Sequence, residues 1–336
     1  MKNLSKNELK TFEGIARLNQ ETLREVLHKF LIKNYKKVIY DKQFLCAEGD
    51  IPIALVAHMD TVFKKPPTEI FYDRVKNVMI SPTGLGADDR AGIYSIIQIV
   101  ESGLRPHIIF TTDEEIGCIG AMALSTLDCP FKDLRYMIQL DRRNSNDCVF
   151  YDCDNKDFEQ YIEKFGFITA WGSFTDICEL GPAWGVAGVN LSIGYRDEHT
   201  ASEVLFVGQM LSTIEKVKNM LKEKDIPSFK YVPTKYAYNY YGLSLHPNDY
   251  YGVDDSDYLP YLGKKAEVTF KCHGCQKTIT EVDPISVKLI KGGRGFFCED
   301  CIYNGKIDWC WKCGEPYQID KTEKGCGFCK DCRKKK

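Results

Sequence analysis

Residues 51–60 read Ile51-Pro52-Ile53-Ala54-Leu55-Val56-Ala57-His58-Met59-Asp60, an apolar run that stops at a histidine and a carboxylate. A run of this length without polar alternation predicts a strand buried on both faces. Similar runs occupy 107–111, 136–140 and 186–192. Amphipathic stretches between and around them predict helices over 5–17, 20–33, 90–102 and 202–222, and 37–47 predicts a hairpin. Strands alternating with helices predict an α/β fold with helices on both faces of the sheet. In such sheets chemistry gathers beyond the carboxyl ends of the strands.

The residues just past these strands fit that rule. The first strand ends in His58-Met59-Asp60, the second in Asp113-Glu114-Glu115, the third in Asp141, and the fourth leads to His199. Gly84-Leu85-Gly86-Ala87-Asp88-Asp89-Arg90 lies between the first two, at the start of a helix. Singly, each has an ordinary reading as a cap or a solvated loop. Together, two imidazoles and three carboxylates suit a pair of Zn²⁺ ions with nitrogen and oxygen ligands, one carboxylate bridging. His58 and Asp60 share a face of extended backbone, so Asp60 can fix the His58 tautomer from behind. Of the adjacent Glu114 and Glu115, one binds metal and the other moves a proton.

The segments AHMDTVF, GLGADDRAGI, TTDEEIG, QLDRR and GYRDEHTASE resemble the successive metal-site motifs of the co-catalytic di-zinc exopeptidases. That clan takes in zinc aminopeptidases, peptidase T-like tripeptidases and acetylornithine deacetylase-like amidohydrolases. The resemblance spans 58–203 and, less specifically, 1–225. It implies a three-layer α/β/α sandwich around a mixed, mostly parallel sheet. By motif it implies that His58 binds one zinc, Asp88 bridges both, and Glu115, Asp141 and His199 are the remaining ligands. Asp60 would orient His58, and Glu114 would be the general base on the water between the ions. It also implies a cis peptide bond between Asp88 and Asp89. Co²⁺ or Mn²⁺ are alternative ions for the site. Asp141 and His199 stand only 58 positions apart, too close for the lid domain that tripeptidase-like members insert there. Thr175-Asp176 resembles an element near the substrate in this group, which makes Asp176 a substrate-side candidate.

The 336 residues carry a formal net charge of −2, and 15 are cysteines. No run approaches the roughly 20 apolar residues that cross a bilayer, and the charged, amphipathic N-terminus lacks a secretory pattern. A cytoplasmic chain is expected, where thiols stay reduced. Nine cysteines crowd into 264–336, which holds sixteen Lys and Arg against ten Asp and Glu. Four Cys-x-x-Cys pairs begin at Cys272, Cys298, Cys310 and Cys329, a spacing that predicts structural zinc. The simplest partition takes Cys272, Cys275, Cys298 and Cys301 as one site. Cys310, Cys313, Cys329 and Cys332 form the other, with Cys326 an alternative to Cys332. This tail resembles zinc-ribbon and LIM-type modules in general.

The expected organisation is a catalytic domain over 1–225, a Tyr- and Pro-rich linker over 226–263, and a two-site zinc module over 264–336. Two tetrathiolate sites at −2 each reduce the tail's excess positive charge. A protein partner therefore suits the tail better than nucleic acid, which stays a secondary alternative. The expected function is zinc-dependent hydrolysis of an amide, with a peptide as substrate in an aminopeptidase. The rivals are a deacylase acting on N-acyl amino acids and a zinc-ribbon binding protein with a vestigial hydrolase domain.

Overall fold

The computed structural model describes residues 3–234, 267–282, 285–289, 294–297, 301, 307–309 and 316–318. Contacts divide the chain into two units, Met1–Lys235 and Tyr236–Lys336.

The first unit opens on α1 (Lys6–Ala16) and α2 (Gln20–Asn34). Ser5 and Glu8 form a reciprocal capping box at the start of α1, and the Asn19 side chain accepts the Thr22 N–H to start α2. A hairpin of β1 (Lys37–Tyr40) and β2 (Phe44–Glu48) leads to β3 (Ile51–His58). Then follow β4 (Phe71–Asp73), β5 (Val78–Ile80), α3 (Ala87–Glu101), β6 (Pro106–Thr111), α4 (Ile119–Ser125) and β7 (Tyr136–Arg142). The unit continues through β8 (Asp147–Val149), α5 (Lys156–Glu163), β9 (Ile168–Thr169), α6 (Asp176–Trp184) and β10 (Gly188–Ser192). It closes with β11 (Tyr195–Arg196), β12 (Val204–Phe206) and α7 (Val207–Leu221).

Eight strands make one mixed sheet in the order β1-β2-β6-β3-β7-β10-β8-β9. Its centre is parallel, from β6 through β3 and β7 to β10. Alternation along β3 sorts the core into two layers. Ile53, Leu55 and Ala57 face the cluster that holds α1, α2, α3, α5 and α7, while Ala54 and Val56 face the one that holds α4 and α6. The fold is thus the α/β/α sandwich that the sequence predicts.

Two expectations change. The helix expected over 202–222 starts at Val207, because 204–206 is drawn into a second sheet of order β11-β12-β5-β4. His199 accordingly sits between β11 and β12 of that smaller sheet, not at the end of β10. Asp88 (φ −80°, ψ 103°) and Asp89 (φ −116°, ψ 39°) at the head of α3 are not helical, so the regular helix runs from Arg90 as expected, and the bond between Asp88 and Asp89 is cis. Residues 226–234, the start of the Tyr- and Pro-rich segment, pack on the first unit, as a segment too aromatic to be freely solvated should: Phe229 is buried among Tyr136, Phe158 and Tyr161, and Lys230 bridges to Val186. Residues 235–263 lie outside the described residues.

The second unit has an antiparallel pair, β13 (Glu267–Lys271) with β14 (Thr278–Val282). It also has a four-stranded sheet of β15 (Ile285–Lys288), β16 (Arg294–Phe297), β17 (Ile307–Trp309) and β18 (Pro316–Gln318). Phe297, Cys272 and Cys301 form its small buried cluster.

Gly92 on α3 sets how closely that helix approaches β7. A Cβ there would stand 2.3 Å from Asp89 Oδ1 and 2.4 Å from the Leu140 carbonyl oxygen. Replacing a helical glycine by alanine normally gains up to about 1 kcal/mol, whereas overpacking a core costs about 1–3 kcal/mol. Overpacking should win: Gly92→Ala is expected to lower unfolding free energy in a denaturant titration despite its better helix propensity.

Candidate metal centre

The ends of β3, β6 and β7, the start of α3 and the turn after β11 converge on one group of side chains. Asp88 is its centre. One of its oxygens lies 3.0 Å from His58 Nε2, and the other lies 3.2 Å from His199 Nε2. Asp141 approaches the same His58 nitrogen at 3.5 Å, and Glu115 approaches His199 at 2.9 Å. Two triads therefore share Asp88: His58, Asp88 and Asp141 on one side, and Asp88, Glu115 and His199 on the other. The two imidazoles differ in setting. His58 is buried, while the His199 side chain is 50% exposed and its backbone is left-handed (φ 64°). A non-glycine residue in that region is strained and is held there by its surroundings. Arg143 pairs with the adjacent Glu198 at 3.0 Å on the same turn.

Asp60 stands behind the first triad. It contacts His58 Nδ1 at 3.1 Å and accepts the backbone N–H groups of Glu114 and Glu115, both at 3.0 Å. One carboxylate thus fixes the His58 ring and aligns the two glutamates. Glu114 is partly buried, with the Cys118 thiol 3.7 Å from its carboxylate.

Electrostatics reflect the crowding. Burial works to raise Asp88, but His199 and His58 hold it well below the usual carboxylate range. Burial and the neighbouring Asp88 push Asp141 up to about 7, against the pull of His58. Burial pushes Glu114 up to about 9, opposed by His58 and reinforced by Asp141, Asp176 and Asp88. His199, bonded to Asp88 and Glu115, is raised to about 11.

Several supporting residues lie outside the ligand set that the sequence predicts. Tyr195 and Thr175 donate hydroxyls to the two oxygens of Asp141, each at 3.0 Å. Asn190, beside Asp141 on β10, bonds both its backbone N–H (3.0 Å) and its carbonyl (2.7 Å). Asp89 accepts the backbone N–H groups of His58 and Gly92. Glu203 is 1% exposed and accepts the N–H groups of Gly86 at 2.6 Å and Asp88 at 3.0 Å. Its place four residues after His199 was the one available hint. Asp176, a substrate-side candidate from sequence, is fully buried and accepts from Thr111 at 2.7 Å and Gln139 at 3.3 Å.

A cation fits this group by two observations. Its donors are imidazole nitrogens and carboxylate oxygens, the set that suits Zn²⁺ and its first-row neighbours. In addition, Glu115 Oε1 is buried with no hydrogen-bond partner, and a buried carboxylate oxygen left unsatisfied costs several kcal/mol. In the second unit, the Cys272, Cys275 and Cys301 sulfurs lie within 4.8 Å of one another. Cys298, Cys310, Cys313, Cys326, Cys329 and Cys332 lie outside the described residues.

No protein-family model matches the sequence, and no curated protein does. Solved structures share the fold. The aminopeptidase PepT of Bacillus cereus superposes with a TM-score of 0.52 at 15% identity, covering 63% of this chain and 96% of its own. A tripeptidase of Staphylococcus aureus gives 0.53 at 15% identity over 64% and 97% of the two chains. A TET aminopeptidase of a marine-sediment thaumarchaeon gives 0.53 at 11% identity over 66% and 98%. At these identities the likeness establishes the fold.

Glu203 spans from the His199 turn to the loop that presents Asp88. Glu203→Ala leaves buried N–H groups unsatisfied, at about 1–3 kcal/mol each. The expected outcomes are a lower melting temperature and a weaker affinity for Zn²⁺ at the Asp88 site in competition titrations. Glu203→Gln keeps one acceptor oxygen but turns an amide NH2 toward the other N–H, so it should recover only part of both.

Proposed function

We propose that the first unit is a metal-dependent peptidase, an aminopeptidase that releases N-terminal residues from peptides. The carrying observation is Asp88, whose two oxygens face two imidazoles, each backed by a further carboxylate, in a fold shared with aminopeptidases. In this reading His58 and Asp141 hold one ion, Glu115 and His199 hold the other, and Asp88 serves both. Zn²⁺ is the first choice, with Co²⁺ or Mn²⁺ as alternatives. A bound pair supplies Lewis-acid polarisation of the amide carbonyl and makes a water more acidic.

The protein's own residues do the rest. Asp60 holds His58 Nδ1 at 3.1 Å, which turns Nε2 toward Asp88 and Asp141. Glu114 accepts the proton of the attacking water as its oxygen bonds to the carbonyl carbon. It then delivers that proton to the amine nitrogen as the C–N bond breaks. Its carboxyl is raised by burial and by neighbouring carboxylates, and cations beside it lower such a group toward a usable base. Tyr195, Thr175 and Asn190 hold Asp141, and Asp176 acts from beneath the site through Thr111 and Gln139. The residues between Asp141 and His199 form β8 to β11, α5 and α6, which supports a catalytic domain without a lid.

For the second unit we assign structural zinc to Cys272, Cys275, Cys298 and Cys301, supported by the three clustered sulfurs. A second site falls to Cys310, Cys313, Cys329 and Cys332. The tail then serves as a zinc-stabilised module for docking a protein partner.

Glu114→Gln keeps the shape of the site and removes the base. Hydrolysis of aminoacyl anilides is expected to fall by about 10²–10⁴ with zinc content unchanged. Activity on N-acetyl amino acids in place of aminoacyl substrates would favour a deacylase. Elemental analysis of the intact chain should find about four zinc ions, two at nitrogen and oxygen donors and two at thiolates. His58→Ala should lose ions from the first pair and leave the tail's share in place.

A further inference from the structure

Glu114 and Glu115 reach the Asp88 group from a tight turn after β6, and the head of that turn is Asp113. Its backbone is left-handed (φ 57°), a region that a non-glycine residue enters where its surroundings hold it. The carbonyls of the turn are used locally: Gly117 and Cys118 donate to that of Glu114, and Ile119 donates to that of Asp113. Its three successive N–H groups are taken by side chains from elsewhere in the chain. Asp60 accepts those of Glu114 and Glu115. The N–H of Asp113 goes to Gln20 Oε1 at 3.2 Å.

Gln20 closes a second bond. Its Nε2 donates to Asp113 Oδ1 at 2.9 Å, so one amide grips both the backbone and the carboxylate of Asp113 across 93 positions of sequence. Gln20 is the first residue of α2, a place that any good helix former could fill. Both ends of its amide are nevertheless spent on Asp113. The corner that presents it is fixed as well. Asn19 caps α2 by accepting the Thr22 N–H, and the Leu18 carbonyl accepts from Arg90 at 3.1 Å. Arg90 is 4% exposed and follows Asp89 on α3. The corner between α1 and α2 is thus tied to the helix that presents Asp88 and, through Gln20, to the turn that presents Glu114 and Glu115.

We propose that Gln20 is a positioning residue for the metal centre. By holding Asp113 in its left-handed turn, it sets where the Glu114 and Glu115 carboxylates stand. The kinetic part of the proposal rests on the peptidase reading above. Without Gln20, Asp113 relaxes toward ordinary backbone angles and the peptide plane leading into Glu114 rotates. A displacement of about 1 Å at a reacting group can cost about 10²-fold in rate.

Three variants of the full chain test this. Gln20→Met fills similar space and makes neither bond. Gln20→Glu still accepts the Asp113 N–H but sets two carboxylates against each other where the 2.9 Å bond stands. Gln20→Glu/Asp113→Asn reverses donor and acceptor in that bond, and asparagine tolerates the left-handed turn. On aminoacyl anilides both single variants should lower kcat about tenfold or more, with KM within about twofold of wild type. The double variant should return kcat to within about threefold. Zn²⁺ affinity at the Asp88 group, from competition titration, should fall about tenfold in the single variants because Glu115 shifts, and recover in the double. A merely structural role would lower the melting temperature of Gln20→Met and leave kcat and zinc affinity in place. That result, or a double variant as poor as Gln20→Glu, would overturn the proposal. Gln20→Met carries the test by itself if Gln20→Glu does not fold. If the wild type cleaves no peptide, the peptidase reading fails and the zinc titration decides: the same drop and recovery sustain the proposal, and unchanged affinity overturns it.

Discussion

The first unit is organised around a concentration of buried carboxylates at Asp88, and each of them has to be compensated. A buried ionised carboxylate without partners is far costlier than any single packing contact. The compensation is local and specific. Asp88 has two imidazoles, Asp60 two backbone N–H groups and an imidazole, Asp141 two hydroxyls, and Asp89 and Glu203 backbone N–H groups. These bonds do not balance everything. Glu115 Oε1 has no partner, and burial with like charges nearby raises Asp141 and Glu114. The imbalance faces the open edge of the sheet. Divalent cations would correct it, because their charge favours the ionised form of every carboxylate around them.

That constraint explains why a second, smaller sheet is needed. The main sheet delivers His58, Asp113 to Glu115, and Asp141 from the ends of neighbouring parallel strands. It cannot deliver the second imidazole, because β10 ends at Ser192. The chain turns into β11, places His199 in a strained left-handed turn, and returns along β12 beside β5. Glu203 lies on that return and bonds the loop before α3. The same excursion that supplies the second nitrogen thus also fixes the carboxylate it shares.

This explains which parts were legible in the sequence. Buried parallel strands are continuous apolar runs, so β3, β6, β7 and β10 could be read directly, and with them the meeting of His58, Asp88, Glu115 and Asp141. The small sheet could not. Val204-Leu205-Phe206 runs into a helical pattern without a break, and its strand character comes from pairing with β5, which no local signal announces. Tyr195 and Asn190 were invisible for a related reason: they are ordinary strand residues until the fold sets them against Asp141. Asp176, a substrate-side candidate from a short motif, begins a helix whose start is buried, and one of its oxygens accepts from Thr111 and Gln139.

The cysteines complete the argument about charge. In the first unit Cys46, Cys118, Cys148 and Cys153 are buried, and burial pushes their thiols up, which keeps them protonated and poor ligands. The sulfurs that cluster are in the second unit, at Cys272, Cys275 and Cys301. Soft thiolates and harder oxygen and nitrogen donors are therefore kept apart along the chain. Thiolate sets select Zn²⁺ by softness, whereas a carboxylate-rich set with two imidazoles accepts several first-row ions. On the proposed reading, the separation lets the tail hold its metal tightly as part of its fold. The Asp88 group meanwhile stays open at the edge of the sheet, and nearby sulfur does not compete for its ions.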